Sequence, residues 1–272
     1  MRGLNDLKNA HEIDFTIYGD DMQFVEIELD PRESVIAEAG SMMYMSQGIE
    51  METIFGDGSG EKKGFFGSLL GAGKRLLTGE SLFMTVFTNE GQGKQHVSMA
   101  APYPGKIIPL DLTDHAGKII CQKDAFLCAA KGVSVGIEFQ RKLGTGFFGG
   151  EGFIMQKLEG DGLAFIHAGG TIIEKELGYG DVLRIDTGCL VAMTKDVDFD
   201  IQFVKGIKTA LFGGEGLFFA TLKGPGKVWI QSLPFSRLAD RIYAAAPKAG
   251  GHRKEEGSIL GTFGSFLDGD DD

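Results

Sequence analysis

The chain has 272 residues, 43% hydrophobic and 24% charged, with a formal net charge of −11 at pH 7. That composition fits a soluble globular protein long enough to bury a sizeable core, and the acidic balance argues against nucleic-acid binding, which needs a basic footprint against phosphates. Apolar runs stop well short of the roughly 18 residues of a membrane-spanning helix, the opening MRGLNDLKNAHEIDF has no secretory h-region, and Cys121, Cys128 and Cys189 form no C-x-x-C, so they read as reduced thiols of a cytoplasmic protein.

Residues 1–12 read as a loose leader. A first repeat is expected over 13–103, a second over 104–180 and a third over 181–243. The last two are the clearest. IEFQRKLGTGFFGGEG from Ile137 and IQFVKGIKTALFGGEG from Ile201 agree at eight of sixteen positions, with a fixed offset of 64 residues. The same offset sets Leu127 on Val191, Phe165 on Trp229 and Ile166 on Ile230. The first copy, TGESLFMTVFTNEGQG from Thr78, is degraded, and its Ile49 is matched to Ile137 and Ile201. That match gives the first copy 17 extra residues, about GSGEKKGFFGSLLGAGK, read as a helical insertion.

Each copy reads as β. LFMTVF, FIMQKL and LFFATL are short apolar runs bounded by glycine-rich turns. EGQG, EGDG and KGPG supply glycine where a hairpin needs positive φ, and GLAFIHAG and GKVWIQS are expected to return as hairpin partners. The 42 glycines show no G-X-Y period, so they are read as turns. PFSRLADRIYAAA predicts a closing helix, capped by Ser236, with Leu238, Ala239, Ile242 and Tyr243 on one face. Residues 244–272 read as a flexible acidic tail, in which Ile259, Leu260, Phe263, Phe266 and Leu267 keep a helical spacing.

Catalytic signatures are not found. GSLLGAGKRL is not a P-loop: Ser68 stands where the first glycine belongs, and Arg75 where a Ser or Thr would hold magnesium. The five histidines, His11, His96, His115, His167 and His252, give no H-x-H for a metal-dependent cupin. His96 and His167 fall in corresponding return strands, with Gln231 near that place in the third copy. No G-x-S-x-G elbow occurs, and the cysteines read as core fillers. Neither a cofactor nor a metal is therefore expected.

Glu80, Glu151 and Glu215 recur at one place in the three copies. Three carboxylates about an axis could bind a cation, but each is read as accepting backbone N–H groups of its own corner. The segments entering the corners mix basic residues with phenylalanine: Lys62, Lys63, Phe65, Phe66, Lys74 and Arg75, then Arg141, Lys142, Phe147 and Phe148, then Lys205, Lys208 and Phe212. In the insertion Phe66, Leu69, Leu70, Gly73, Leu76 and Leu77 share one helical face. These residues form a candidate interaction surface, suited to another subunit, a protein partner or an anionic membrane.

DMQFVEIELDPRESVIAEAGSMMYM, GIEMET, GFFGSLLGAGKRLLTGES and the two FGGEG corners resemble the bacterial relatives of a mitochondrial-biogenesis family named for altered inheritance of mitochondria. The resemblance runs from about Glu12 to Tyr243. It implies three domains of the tryptophan RNA-binding attenuation protein type, a short β-sandwich related to the double-stranded β-helix, and it makes a scaffold role beside a membrane worth testing. It carries no catalytic motif.

The expectation is an all-β protein of three tandem sandwich-like repeats in pseudo-threefold arrangement, with a helical insertion and a closing helix. It is non-catalytic, self-associating and cytoplasmic or peripheral to a membrane. Small-ligand binding between repeats is the alternative.

Overall fold

The computed structural model describes residues 9–55, 83–141, 153–203 and 218–246. The chain divides into two compact units, Met1–Ser236 and Arg237–Asp272. The first is all-β. Its N-terminal strand β1 (Asp14–Tyr18) precedes three sets of six. The first set is β2 (Phe24–Leu29), β3 (Ser34–Glu38), β4 (Met42–Met45), β5 (Ile49–Phe55), β6 (Phe83–Asn89) and β7 (Gln95–Ala100). The second is β8 (Gly105–Asp111), β9 (Lys118–Gln122), β10 (Phe126–Ala130), β11 (Ser134–Arg141), β12 (Phe153–Glu159) and β13 (Leu163–Gly169). The third is β14 (Ile172–Leu177), β15 (Val182–Asp186), β16 (Leu190–Thr194), β17 (Asp198–Phe203), β18 (Phe218–Lys223) and β19 (Gly226–Gln231).

Alternation writes β2, whereas β3, β10 and β16 are nearly continuous buried runs. In β2, Val25, Ile27 and Leu29 are buried while Phe24, Glu26 and Glu28 are half-buried on the opposite face. The repeats share sheets. One six-stranded sheet runs β5-β6-β3-β10-β13-β8 and another β11-β12-β9-β16-β19-β14, so each joins strands of two successive copies. The remaining sheets are β1-β2-β7-β4 and β15-β18-β17. One core cluster unites the first two copies through Val35, Ile36, Phe87, Leu127 and Phe165; a second unites the last two through Ile120, Phe153, Met193, Ile201 and Leu222.

The offset of 64 survives in the hydrogen bonding. A register shift falls between Phe126 and Cys128, and again between Leu190 and Ala192, so Leu127 and Val191 are equivalent bulge residues. Met42 and Tyr44 flank the same shift in the first copy, which makes Met43 the third member. A bulge kept in every copy behaves as a designed feature of the strand.

Four expectations are corrected. EGQG, EGDG and KGPG do not close hairpins: β6 and β7, β12 and β13, and β18 and β19 each lie in different sheets. The true hairpins are β5–β6, β11–β12 and β17–β18, whose connections hold the insertion and the FGGEG corners. The glycines serve close passage between sheets. A Cβ on Gly162 would lie 3.2 Å from both Ala130 Cβ and Val133 Cγ2. A Cβ on Gly226, where φ is +142°, would lie 2.4 Å from Thr194 Oγ1 and 2.7 Å from Val197 Cγ2, the equivalent positions. Second, Thr53 rather than Ile49 matches Ile137 and Ile201, because Thr53 faces Thr85 as Ile137 faces Gln156 and Ile201 faces Ala220. Third, the boundary between the second and third copies falls before β14, not at 180/181, since β14 pairs with β19 as β8 pairs with β13. Fourth, the closing helix α1 spans Phe235–Ala245, so Ser236 sits inside its first turn. Leu238 and Ala239 are half-buried, and Ile242 and Tyr243 are exposed.

Candidate interaction surface

The basic and aromatic residues picked out from the sequence, Lys62, Lys63, Phe65, Phe66, Leu69, Leu70, Lys74, Arg75, Leu76, Phe147, Phe148 and Phe212, lie outside the described residues. So do the corner carboxylates Glu80, Glu151 and Glu215, and the tail from residue 247. Arg141, at the edge of one such segment, places Nη1 3.0 Å from the Ile201 carbonyl and 3.6 Å from Asp200, so it ties β11 to β17.

The described residues bring another surface forward. Strand β4, MMYM, ends its sheet, and all four of its residues are exposed, Met43 by 54%. In the second copy the equivalent Phe126, Leu127, Cys128 and Ala129 are buried, and in the third Leu190, Val191, Ala192 and Met193 are buried. Those strands are covered because β10 pairs with β3 and β16 with β9. The equivalent partner for β4 is β15, which is itself an edge strand. Val182 there is 56% exposed, and Leu183 and Ile185 are half-buried where Ile119, Val35, Cys121 and Ala37 are fully buried. Edge strands are commonly blunted by charge, and β14 is an example, with Glu174, Lys175 and Glu176 exposed and Glu174 held 2.8 Å from Lys227. No such charge interrupts β4.

Beside β4 the outward face of the sheet carries an aromatic row. Tyr18 stacks on Phe24 with ring centroids 4.9 Å apart, and Tyr44 meets Phe24 edge-on at 6.3 Å. The Tyr44 hydroxyl donates to Glu26. Farther along, Glu28 accepts from Lys94 and lies 3.2 Å from His96 Nε2; the Lys94 hydrogen bond, first among several causes, draws its carboxyl below the usual range. Asp14, Phe15, Thr16, Glu26, Glu28 and His96 line a shallow depression of about 130 Å³. It lies within one repeat rather than between repeats, and is smaller than the roughly 300 Å³ at which small-molecule pockets begin.

A second group of titratable residues sits at the junction of the first two copies. His167 is buried, its ring edge-on to Tyr103 at 4.4 Å, and neither ring nitrogen has a hydrogen bond of acceptable geometry. Burial lowers its pKa to about 4, against a smaller opposing effect of the Tyr103 backbone. Burial, with Asp124 nearby, raises Glu38 to about 7 and Tyr103 to about 12. His96 and His167 do not correspond: by register His167 matches Gln231 and Ala100, whereas His96 faces Glu28 on the exposed side. Gln231 shows what the position does. Its Oε1 accepts from Gly169 N at 2.8 Å and its Nε2 donates to Gly188 O at 2.9 Å, pinning two copies together. In the third copy, therefore, the position is a structural pin. Glu38 yields a prediction of sign. Its folded pKa lies above the ordinary value of 4.5, so its contribution to stability is present below pH 4.5 and is lost as pH rises to about 7. Glu38→Gln is expected to be more stable than the parent at pH 8, by about 1–3 kcal/mol. Below pH 4 the two should converge. Urea titrations at the two pH values check this.

Cys121 and Cys128 are inert by placement, since burial alone lifts Cys121 to about 12 and raises Cys128 as well, whereas Cys189 is half-buried. Among the described residues, no group of three His, Cys, Asp or Glu side chains could hold a metal, and no helix is long and apolar enough to cross a membrane.

Sequence reasoning does not single out β4, because MMYM enters it only within the stretch that carries the family resemblance. MMYM aligns with FLCA and LVAM only through the bulge register that the hydrogen bonding supplies.

Comparison with known proteins places this all-β chain among relatives of known sequence and structure. A family model described as mitochondrial biogenesis AIM24 matches residues 15–233. An uncharacterized protein of Streptococcus pyogenes serotype M6 is 33% identical over 232 residues, covering 83% of this chain and 88% of the relative. A crystal structure of a Streptococcus pyogenes protein, from a structural genomics programme, aligns with a TM-score of 0.67 at 26% identity, over 86% of this chain and 100% of that one.

Proposed function

The chain belongs to the mitochondrial biogenesis AIM24 family, and from that premise we propose that it is a non-catalytic interaction module that self-associates through the free edge of β4. One observation carries the reading: four positions buried in two copies stay apolar and exposed in the remaining one. Leaving Met43 and its neighbours in water forgoes about 1.5–3 kcal/mol for each large side chain that burial would recover, and exposed apolar patches of this kind mark interaction sites.

Sedimentation velocity of the full chain over a range of concentrations tests it. Association that grows with concentration, and that Met43→Asp weakens by roughly tenfold or more without loss of β circular dichroism, is the expected result. Association unchanged by Met43→Asp would refute the reading.

A scaffold role beside a membrane is supported by sequence alone, through the basic and aromatic segments that connect the equivalent hairpins. The acidic outward face beside β4, with Asp14, Glu26 and Glu28, does not favour anionic lipid. Salt-sensitive co-sedimentation with anionic but not neutral liposomes, lost on deletion of residues 64–77, would support membrane attachment. No binding to either would remove it.

A further inference from the structure

We infer that the occupant of β4 is β15 of a second copy of this chain, paired antiparallel so that Tyr44, Met45 and Ser46 face Ile185, Arg184 and Leu183. The inference rests on the self-association reading and names its geometry. The two internal junctions supply the template. In the first, Cys128, Ala129 and Ala130 face Ala37, Ile36 and Val35. In the second, Ala192, Met193 and Thr194 face Cys121, Ile120 and Ile119. The bulge register makes Tyr44 the counterpart of Cys128 and Ala192, and the offset of 64 makes Ile185 the counterpart of Cys121. Each chain thus carries both halves of one further junction of the same kind, and holds both as edges.

The sheet orders say the same. Setting β15-β18-β17 of one copy beside β4-β7-β2 of another produces β17-β18-β15-β4-β7-β2, a third six-stranded sheet in the order of the two within the chain, with β1 added at its rim. Backbone groups along both edges gain ladder partners, and Met42, Met43 and Met45 gain cover of the kind their counterparts have. Because two different edges meet, the contact is heterologous, and its repetition builds a ring or a chain of copies.

Arg184 departs from the pattern. Its counterparts are the buried Ile36 and Ile120. A guanidinium costs free energy to desolvate, so this junction is weaker than the internal ones and opens on dilution. It also guards an apolar edge against unspecific pairing.

Mixed cysteine chains test the register. In a Cys189→Ser background, a chain with Met45→Cys is mixed with one carrying Arg184→Cys under mild oxidation. Directly opposed residues bring Cβ atoms within disulfide reach. The expected result is a covalent dimer in the mixture that is at least tenfold more abundant than in either chain alone. A single chain bearing both cysteines should give a ladder of linked copies. A linked monomer from the double variant would overturn the second-copy inference in favour of closure within one chain. A covalent dimer of the Met45→Cys chain alone would overturn it in favour of β4 pairing with β4. No cross-link, with association still weakened by Met43→Asp, would refute the β15 pairing while leaving the self-association reading standing. Because a cysteine at 184 removes the guanidinium, Arg184→Ile is measured separately by sedimentation. It restores the residue of the other copies and is expected to tighten association by about tenfold; weaker association would contradict the junction.

Discussion

Phe165→Ala is expected to lower the stability of the folded chain by about 3–5 kcal/mol, the range for emptying a large aromatic site in a core. Phe165 lies in β13 with no solvent exposure, opposite Cys128 on one side and Pro109 on the other. Its ring meets Phe15 edge-on with centroids 4.9 Å apart, so the N-terminal strand β1 is anchored to the second repeat through it. Trp229 takes the same place in the third copy. A close-packed interior collapses only partly around such a void. Urea unfolding checks the effect: the midpoint should fall with the slope preserved. A loss under about 1 kcal/mol would mean that Phe15 and its strand close the gap, and that the copies are less tightly joined than the packing indicates.

The second large effect is acid sensitivity at His167. The ring is buried and held neutral, with a folded pKa of about 4 against an ordinary value of 6.5. The unfolded chain therefore binds the proton more readily. The contribution of this residue is complete above pH 6.5 and is lost as pH falls from 6.5 toward 4. The loss amounts to about 3 kcal/mol across that window. His167→Gln installs the side chain that the third copy uses at Gln231, which pins its junction through two hydrogen bonds and does not titrate. The variant is expected to lose much less stability between pH 6.5 and pH 4 than the parent. Parallel slopes for the two proteins would show that His167 is solvated in the folded state, and that the junction opens more readily than its packing implies.

Much of the architecture was legible in the sequence because a repeat reports equivalence directly. The offset of 64 fixed Leu127 on Val191 and Phe165 on Trp229, and the hydrogen-bond register keeps both matches. The strands themselves follow from apolar runs and alternation, as in β2 and β12. What sequence could not decide was which strand pairs with which. A glycine-rich turn between two apolar runs serves equally for a hairpin and for a step between sheets, and the strand pairing, with its two flanking strands in different sheets, separates the two. Ile49 was misplaced because an isoleucine before an acidic residue is too short a match to fix a strand; pairing with β6 assigns Thr53 instead. The surface was the least legible. MMYM looks in isolation like one more buried strand, and its exposure is a property of its neighbours, since among the described residues β4 pairs only with β7 and its other edge is open. The basic and aromatic corners remain a proposal from sequence alone.

The measurement that bears most directly on the account is amide hydrogen exchange of the intact chain at low and high protein concentration. Protection in both Met42–Met45 and Val182–Asp186 should be low in dilute solution and rise together on concentration, while the interior strands β3, β9, β10 and β16, paired on both sides, stay protected throughout. Protection in β4 and β15 that is unchanged by concentration would contradict the account: their edges would then be either closed within one chain or unused.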